Sequence, residues 1–268
     1  MFPFQDKVIV ITGASSGIGA ELARACARRG ARVVPAARSR ERIEKLQREI
    51  TDAGGQALAV TADVTRHGDI QRLADQALEK WGRVDALVNN AGFGLWGSFE
   101  TLPMEEIRKN FETNLFAAVA CCQAFIPHIR KQGGGLIVNV ESVVGLRAMP
   151  LASCYSATKH ALHAFSEAMR VEYAKENIQV LSVCPGLIRT EFHENRVLVG
   201  TDEGTGPKWL YMPVERCVAK IIGAMERGSS RLVVTGHAKL IAALQRLSPA
   251  FVDWVLASNY LKAVERMK

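Results

Sequence analysis

The chain contains no Cys-x-x-Cys pair and no cysteine–histidine spacing of the kind that holds zinc. Its six cysteines are Cys26, Cys121, Cys122, Cys154, Cys184 and Cys217. A chain of 268 residues buries a large core and needs no disulfide framework, so reduced thiols in a cytoplasmic setting are expected. Most should act as small buried hydrophobes. Cys154, beside Tyr155, is the one candidate for a reactive thiol. No apolar run reaches the roughly 18 residues of a membrane span. The first residues, Met-Phe-Pro-Phe-Gln-Asp-Lys, lack a basic region and a long apolar stretch, so no secretory leader is expected. The net charge of +7 is spread without blocks of one sign, which argues against nucleic acid as a partner. His160, His163 and His193 show no ligand spacing; packing or exposure is expected, and no metal.

What is present is an alternation of short apolar runs with longer helical patterns. Strands are expected at 7–12, 32–37, 57–63, 86–91, 136–140, 179–183 and 231–235. Helices are expected at 17–29, 39–53, 68–81, 104–131 and 152–175. The strands are apolar throughout, the mark of a parallel sheet covered on both faces. Repeated β-α units with right-handed crossovers give an α/β fold with a doubly wound, parallel, seven-stranded sheet. Residues 1–236 read as one domain. Residues 187–213, with Gly200, Gly204, Gly206 and Pro207, read as a long binding loop within it.

Thr12-Gly13-Ala-Ser15-Ser16-Gly17-Ile18-Gly19 joins the first strand to the first helix. Its glycines let the backbone turn sharply and approach a pyrophosphate, which the helix N-terminus favours. A nicotinamide dinucleotide is the implied ligand. Gly92-Phe-Gly-Leu-Trp-Gly97 matches a similar glycine pattern, but no apolar-faced helix follows, so a loop is expected there. Asn89, Asn90, Ala91 and Gly92 end the fourth strand, where they can brace the sheet and border the adenosine. The second strand ends at Ala37-Arg38 with no acidic residue for a ribose 2′-hydroxyl. Arg38 can pair with a 2′-phosphate instead, with Ser15 adding a hydrogen bond, so NADP(H) is favoured over NAD(H). Asp63 either accepts from the adenine amino group or serves as a turn residue.

Tyr155 and Lys159 lie four apart, one turn along a helix face. A phenol with a pKa near ~10 is a poor acid or base at neutral pH, and a neighbouring ammonium lowers that value. Ser142, thirteen residues upstream of Tyr155, offers a hydroxyl to polarise a carbonyl. Taken singly, Tyr155 reads as a half-buried helix tyrosine, Ser142 as a cap and Asn114 as a satisfied helix amide. Taken with the glycine-rich turn, they read as one site.

In order along the chain come Thr12 to Gly19, Asn89 to Gly92, Asn114, Ser142, Tyr155 with Lys159, and Pro185-Gly186 followed by Thr190. This set strongly resembles the short-chain dehydrogenase/reductase family, well over residues 6–190 and more loosely to Gly236. The resemblance implies a Rossmann-like fold and an oxidoreductase that transfers a hydride between NADP(H) and a carbonyl or alcohol. It implies that Tyr155 is the general acid or base. Lys159 lowers its pKa and holds the nicotinamide ribose, Ser142 binds the substrate oxygen, and Asn114 holds a relay water. It also puts Pro185, Gly186, the Ile188 backbone and the Thr190 hydroxyl on the coenzyme. Glu141 departs from the family's small or hydroxyl residue; it either perturbs the site's electrostatics or faces away.

Phe93, Leu95, Trp96, Phe192, Trp209, Leu210, Tyr211 and Met212 suggest an apolar pocket, hence a hydrophobic small-molecule substrate. Residues 237–268 read as an amphipathic helical extension broken near Ser248-Pro249. Pocket cover or subunit contact is favoured there over a membrane surface, which Lys239, Arg246, Lys262, Arg266 and Lys268 would also permit. The family resemblance implies a homodimer or homotetramer through the helices at 104–131 and 152–175. Two other readings stay open: a non-catalytic NADPH-binding sensor and an NAD-preferring alcohol dehydrogenase.

Overall fold

The computed structural model describes residues 2–200 and 208–267. Gly204, Gly206, Pro207, Lys268 and the side chains of Leu261, Lys262 and Arg266 lie outside the described residues. The first half of the chain runs β1 (Val8–Thr12), α1 (Gly17–Ala27), β2 (Arg32–Ala37), α2 (Arg40–Asp52), β3 (Gln56–Ala57), β4 (Val60–Thr61) and α3 (His67–Trp81). Next come β5 (Ala86–Asn89), β6 (Leu95–Gly97), α4 (Met104–Phe111), α5 (Ala117–Lys131), β7 (Gly135–Val140) and α6 (Ser153–Glu172). The chain continues through β8 (Ile178–Cys184), β9 (Ile188–Arg189), β10 (Val197–Val199), β11 (Met212–Pro213) and α7 (Val214–Arg227). It ends with β12 (Arg231–Val233), α8 (Gly236–Leu247) and α9 (Pro249–Met267).

The main sheet is parallel throughout, in the order β12-β8-β7-β5-β1-β2-β3, with β4 also on β2. It therefore has the seven expected positions, one of them split. The expected strand at 57–63 breaks opposite Pro35 of β2, which has no N–H to give the ladder, and Gln47 of α2 accepts the Ala59 N–H at 2.6 Å. Alternate residues of each strand serve opposite layers. In β1, Ile9 and Ile11 pack with α1, α2 and α7, while Val8 and Val10 pack with α3 and α5. Both faces are thus dry, which explains the unbroken apolar strands. Fully buried side chains such as Phe125, Ile9 and Leu87 each stabilise the fold by about 1.5–3 kcal/mol relative to exposure.

Three further departures from the sequence reading matter for function. The expected helix at 104–131 is interrupted by a π segment, Glu112–Phe116, that contains Asn114. The Gly92–Gly97 stretch is not all loop, because β6 pairs in parallel with β10. Helix α7 follows the binding loop and buries Cys217, Val218, Ile221, Ile222 and Met225 on one face, stopping at Gly228 with φ +67°.

Strand order reverses at β1. The chain moves outward from β1 to β2, β3 and β4, then returns to β5 on the other side. The carboxyl ends of β1 and β5 flank this switch point, where open α/β sheets bind ligands.

Candidate active site

The loops after β1 and β5 are tied together through one threonine. Thr12 Oγ1 donates to the Val88 carbonyl at 3.3 Å and accepts the N–H groups of Asn90 and Ala91 at 3.1 and 3.2 Å. This pulls the chain out of the sheet at Asn90 and ends the strand earlier than the sequence suggests. Asn90 Nδ2 donates back to the Thr12 and Gly13 carbonyls at 3.1 and 3.0 Å. Asn89 Nδ2 donates to Asn139 Oδ1 at 2.9 Å and so braces β5 against β7.

The glycines of this turn are required by space. Gly13 has φ +64°, and a Cβ there would lie 2.7 Å from the Ala91 Cα. A Cβ at Gly19 would lie 2.5 Å from Asn90 Nδ2. Gly17, with φ +55°, faces Thr190, which brings the segment after β8 against the phosphate-type turn. The turn, Arg38, Asp63, Tyr155, Lys159 and Ile188 line one cleft of about 1460 Å³. Ser15, Ser16, Ile18, Pro185 and Gly186 line it too.

At its outer end the cleft is basic. Arg38 is exposed and has no ion-pair partner among the described residues, whereas nearby Arg42 is held by Glu191 at 2.6 Å. Asp63 lines the cleft, and its Oδ1 accepts from Thr65 N and Oγ1 at 3.0 and 2.7 Å.

At the inner end stand Tyr155 and Ser142, the latter held by its Oγ accepting the Val144 N–H at 3.3 Å. Both face the cleft. Tyr155 is 4% exposed, lying 5.1 Å from Trp96 and 6.0 Å from Phe192 between ring centroids. Burial pushes its phenol up to about 12, and the Ser142 hydroxyl pulls the other way. Lys159 does not supply the lowering influence expected of it; its Nζ donates to the Val140 carbonyl at 3.0 Å. Burial pulls Lys159 down to about 8, opposed first by Glu141 and then by Cys184.

Asn114 is the hub between these parts. Its Oδ1 accepts the Phe93 N–H at 3.0 Å, and its Nδ2 donates to the Phe93 carbonyl and Thr158 Oγ1 at 3.0 and 3.1 Å. A Cβ at Gly92 would lie 2.9 Å from Asn114 Oδ1 and 3.5 Å from Lys159 Nζ, so Gly92 gives all three room to meet. The π segment carries this amide, as such segments often do at functional sites.

Sequence reasoning missed Asn110, which adds a 2.9 Å bond to the Phe93 carbonyl. It also missed His237, whose Nε2 accepts the Leu187 N–H at 3.3 Å and sits 3.1 Å from Thr235 Oγ1. Neither has a motif signal. Glu141 does not face away: it is buried, and its Oε2 meets His163 Nδ1 at 2.6 Å and Cys184 Sγ at 3.4 Å. The ligating atoms of Glu141, His163 and Cys184 lie within 4.8 Å of one another, a grouping that sequence spacing hid. Cys154 is buried, like the other five cysteines.

The apolar wall differs in part from expectation. Phe93, Trp96, Phe192, Leu210 and Tyr211 line the cleft. Leu95 is buried behind it, Met212 packs on the core, and Trp209 is 81% exposed. Ile241, Leu256 and Tyr260 of α8 and α9 complete the wall. Arg147 fastens these helices through Gln245 at 3.1 Å and Asp253 at 2.6 Å. Among the described residues no helix is long and apolar enough to cross a membrane.

Residues 7–198 match the short chain dehydrogenase family. The chain belongs to this family of oxidoreductases. It is 35% identical over 252 residues to an uncharacterized oxidoreductase, YxnA, of Bacillus subtilis, covering 93% of this chain and 71% of the relative. An alcohol dehydrogenase of Thermococcus sibiricus, solved with 5-hydroxy-NADP, superposes with a TM-score of 0.77 at 28% identity, covering 86% of this chain and 97% of that one. A short-chain dehydrogenase/reductase of Burkholderia phymatum, solved with NAD, shares the fold with a TM-score of 0.84 at 24% identity, covering 94% and 96%. Structural neighbours thus carry both kinds of nicotinamide coenzyme.

Proposed function

We propose that the chain is an NADP(H)-dependent reductase of apolar carbonyl compounds, also able to oxidise the matching alcohols. One observation carries the reading: Tyr155 and Ser142 face the same cleft as a glycine cradle that no Cβ can enter. The cradle, Thr190 and the turn after β8 fit the phosphates of a dinucleotide, and unpaired Arg38 fits a 2′-phosphate. When bound, the nicotinamide supplies or accepts a hydride.

The chain's own residues do the rest. Reduction of a carbonyl leaves negative charge on its oxygen, which needs donors placed in advance. Ser142 donates a hydrogen bond to that oxygen. Tyr155 donates the proton; burial keeps its phenol neutral at pH 7, the form able to donate. Lys159 Nζ, anchored on the Val140 carbonyl, supplies positive charge near the reacting end. Trp96, Phe192 and Tyr211 exclude water and favour an apolar substrate. Exposed Met104, Phe116 and Val171 on the helices at 104–131 and 152–175 support a homo-oligomeric contact there.

The test is a screen of aldehydes, ketones, sterols and acyl thioesters against NADPH and NADH, with wild type and Arg38→Ala. The expected result is turnover of apolar carbonyls and a preference for NADPH that Arg38→Ala cuts by about tenfold or more. Turnover confined to small polar ketones, or an unchanged coenzyme ratio, counts against the reading. NADPH binding with no turnover of any carbonyl would favour a sensor.

A further inference from the structure

We infer that Glu141 is a positioning residue: as the buried counter-charge of Lys159, held by His163, it keeps an ammonium at the reacting end of the cleft. The inference rests on the roles proposed above for Tyr155 and Lys159.

The geometry begins at the end of β7. Three consecutive residues there divide the work. The Val140 carbonyl receives Lys159 Nζ, Glu141 lies buried beside it, and Ser142 faces the substrate space. The Glu141 side chain has no exposed surface. Such a carboxylate is tolerable only where cations and donors surround it. Its Oε2 takes the His163 and Cys184 donors, whereas Oε1 has no hydrogen-bond partner among the described residues. The charge of this carboxylate acts on Lys159, where it opposes the pull of burial more than Cys184 does.

The tautomer of His163 follows from its second nitrogen. Arg231 lies 3.0 Å from Nε2, and a guanidinium can only donate, so Nε2 accepts and Nδ1–H donates to Glu141. Glu167 holds Arg231 from the outside. The chain of contacts runs from Glu141 through His163 to the surface pair of Arg231 and Glu167, across β7, α6 and β12. Burial and Glu141 both keep the Cys184 thiol protonated, so it donates to the carboxylate. Asn114, whose Oδ1 lies with Lys159 Nζ around Gly92, and Tyr155, whose phenol burial raises, carry no anion at neutral pH. Arg231 and Lys159 place two cations beside the grouped Glu141, His163 and Cys184, which disfavours a metal ion among them.

The test is the pH profile of kcat/KM for carbonyl reduction. Lys159 is charged below its pKa of about 8, so the rate should fall as pH rises through that value. Glu141→Gln is isosteric and removes only the charge. It should move this alkaline limb to lower pH by about one unit. Glu141→Asp and Cys184→Ala should leave the limb near its wild-type position. A Gln profile that superposes on wild type, or an Asp variant shifted as far as Gln, overturns the inference. Should the Gln variant not fold, the nitrogen resonance of Lys159 Nζ in the wild-type protein decides. An ammonium persisting at pH 7 supports the inference, and a neutral amine at that pH overturns it. This titration also decides if no carbonyl is turned over, so failure of the proposed reaction and failure of this inference remain distinct.

Discussion

The two ends of the cleft are built on different principles. Around the glycine turn, position is fixed by hydrogen bonds. Thr12 joins three backbone groups, Asn90 returns two bonds, and Gly13 and Gly19 touch neighbouring loops with no room for a side chain. Across the cleft, the wall is aromatic and aliphatic, drawn from Phe93 and Trp96 around β6, the segment after β9, and α8 and α9. Those helices leave Leu240, Leu247 and Trp254 exposed and are fastened largely through Arg147. The contrast teaches a division of labour. The coenzyme end admits one geometry, because directional bonds fail when shifted by an ångström. The substrate end holds its ligand by area, which tolerates changes of shape.

Breaking the rigid end should have the largest effect. Gly19→Val puts atoms where Asn90 and the Gly13 carbonyl already sit. We expect coenzyme affinity, followed by NADPH fluorescence, to drop at least about a hundredfold, since a one-ångström misplacement is that costly. A smaller loss is expected for Thr12→Val, which keeps the shape and removes the hydroxyl. Leaving the Asn90 and Ala91 N–H groups without an acceptor should cost about 1–3 kcal/mol in urea unfolding. Breaking the adaptable end should do least. Trp96→Ala removes one ring tilted against Tyr155, and KM for an apolar ketone should rise about fivefold while coenzyme affinity stays unchanged. A Trp96 variant that lost coenzyme binding would erase the distinction between the two ends.

The same distinction explains what was legible in the sequence. The sheet could be read because buried parallel strands must be apolar on both faces, as Val8 to Ile11 are. The glycine turn could be read because its spacing is forced by backbone conformation. Ser142, Tyr155 and Lys159 were legible through their order along the chain. Contacts that join distant elements left no such trace. His163 and Cys184 meet Glu141 from separations of 22 and 43 residues, with no motif linking them. The pairing of β6 with β10 was hidden for the same reason, as two three-residue segments about a hundred residues apart carry no pattern of their own. The split of the third strand lies opposite Pro35 of β2 and is occupied by the Gln47 side chain, a pairing that no hydropathy pattern encodes.

The central claim is that the Tyr155 phenol delivers the proton during carbonyl reduction. Single-turnover oxidation of pre-bound NADPH by Tyr155→Phe tests it most directly. The account predicts wild-type NADPH affinity with the reduction rate lowered by at least about 10²–10⁴-fold. Oxidation of NADPH by this variant at the wild-type rate would contradict it.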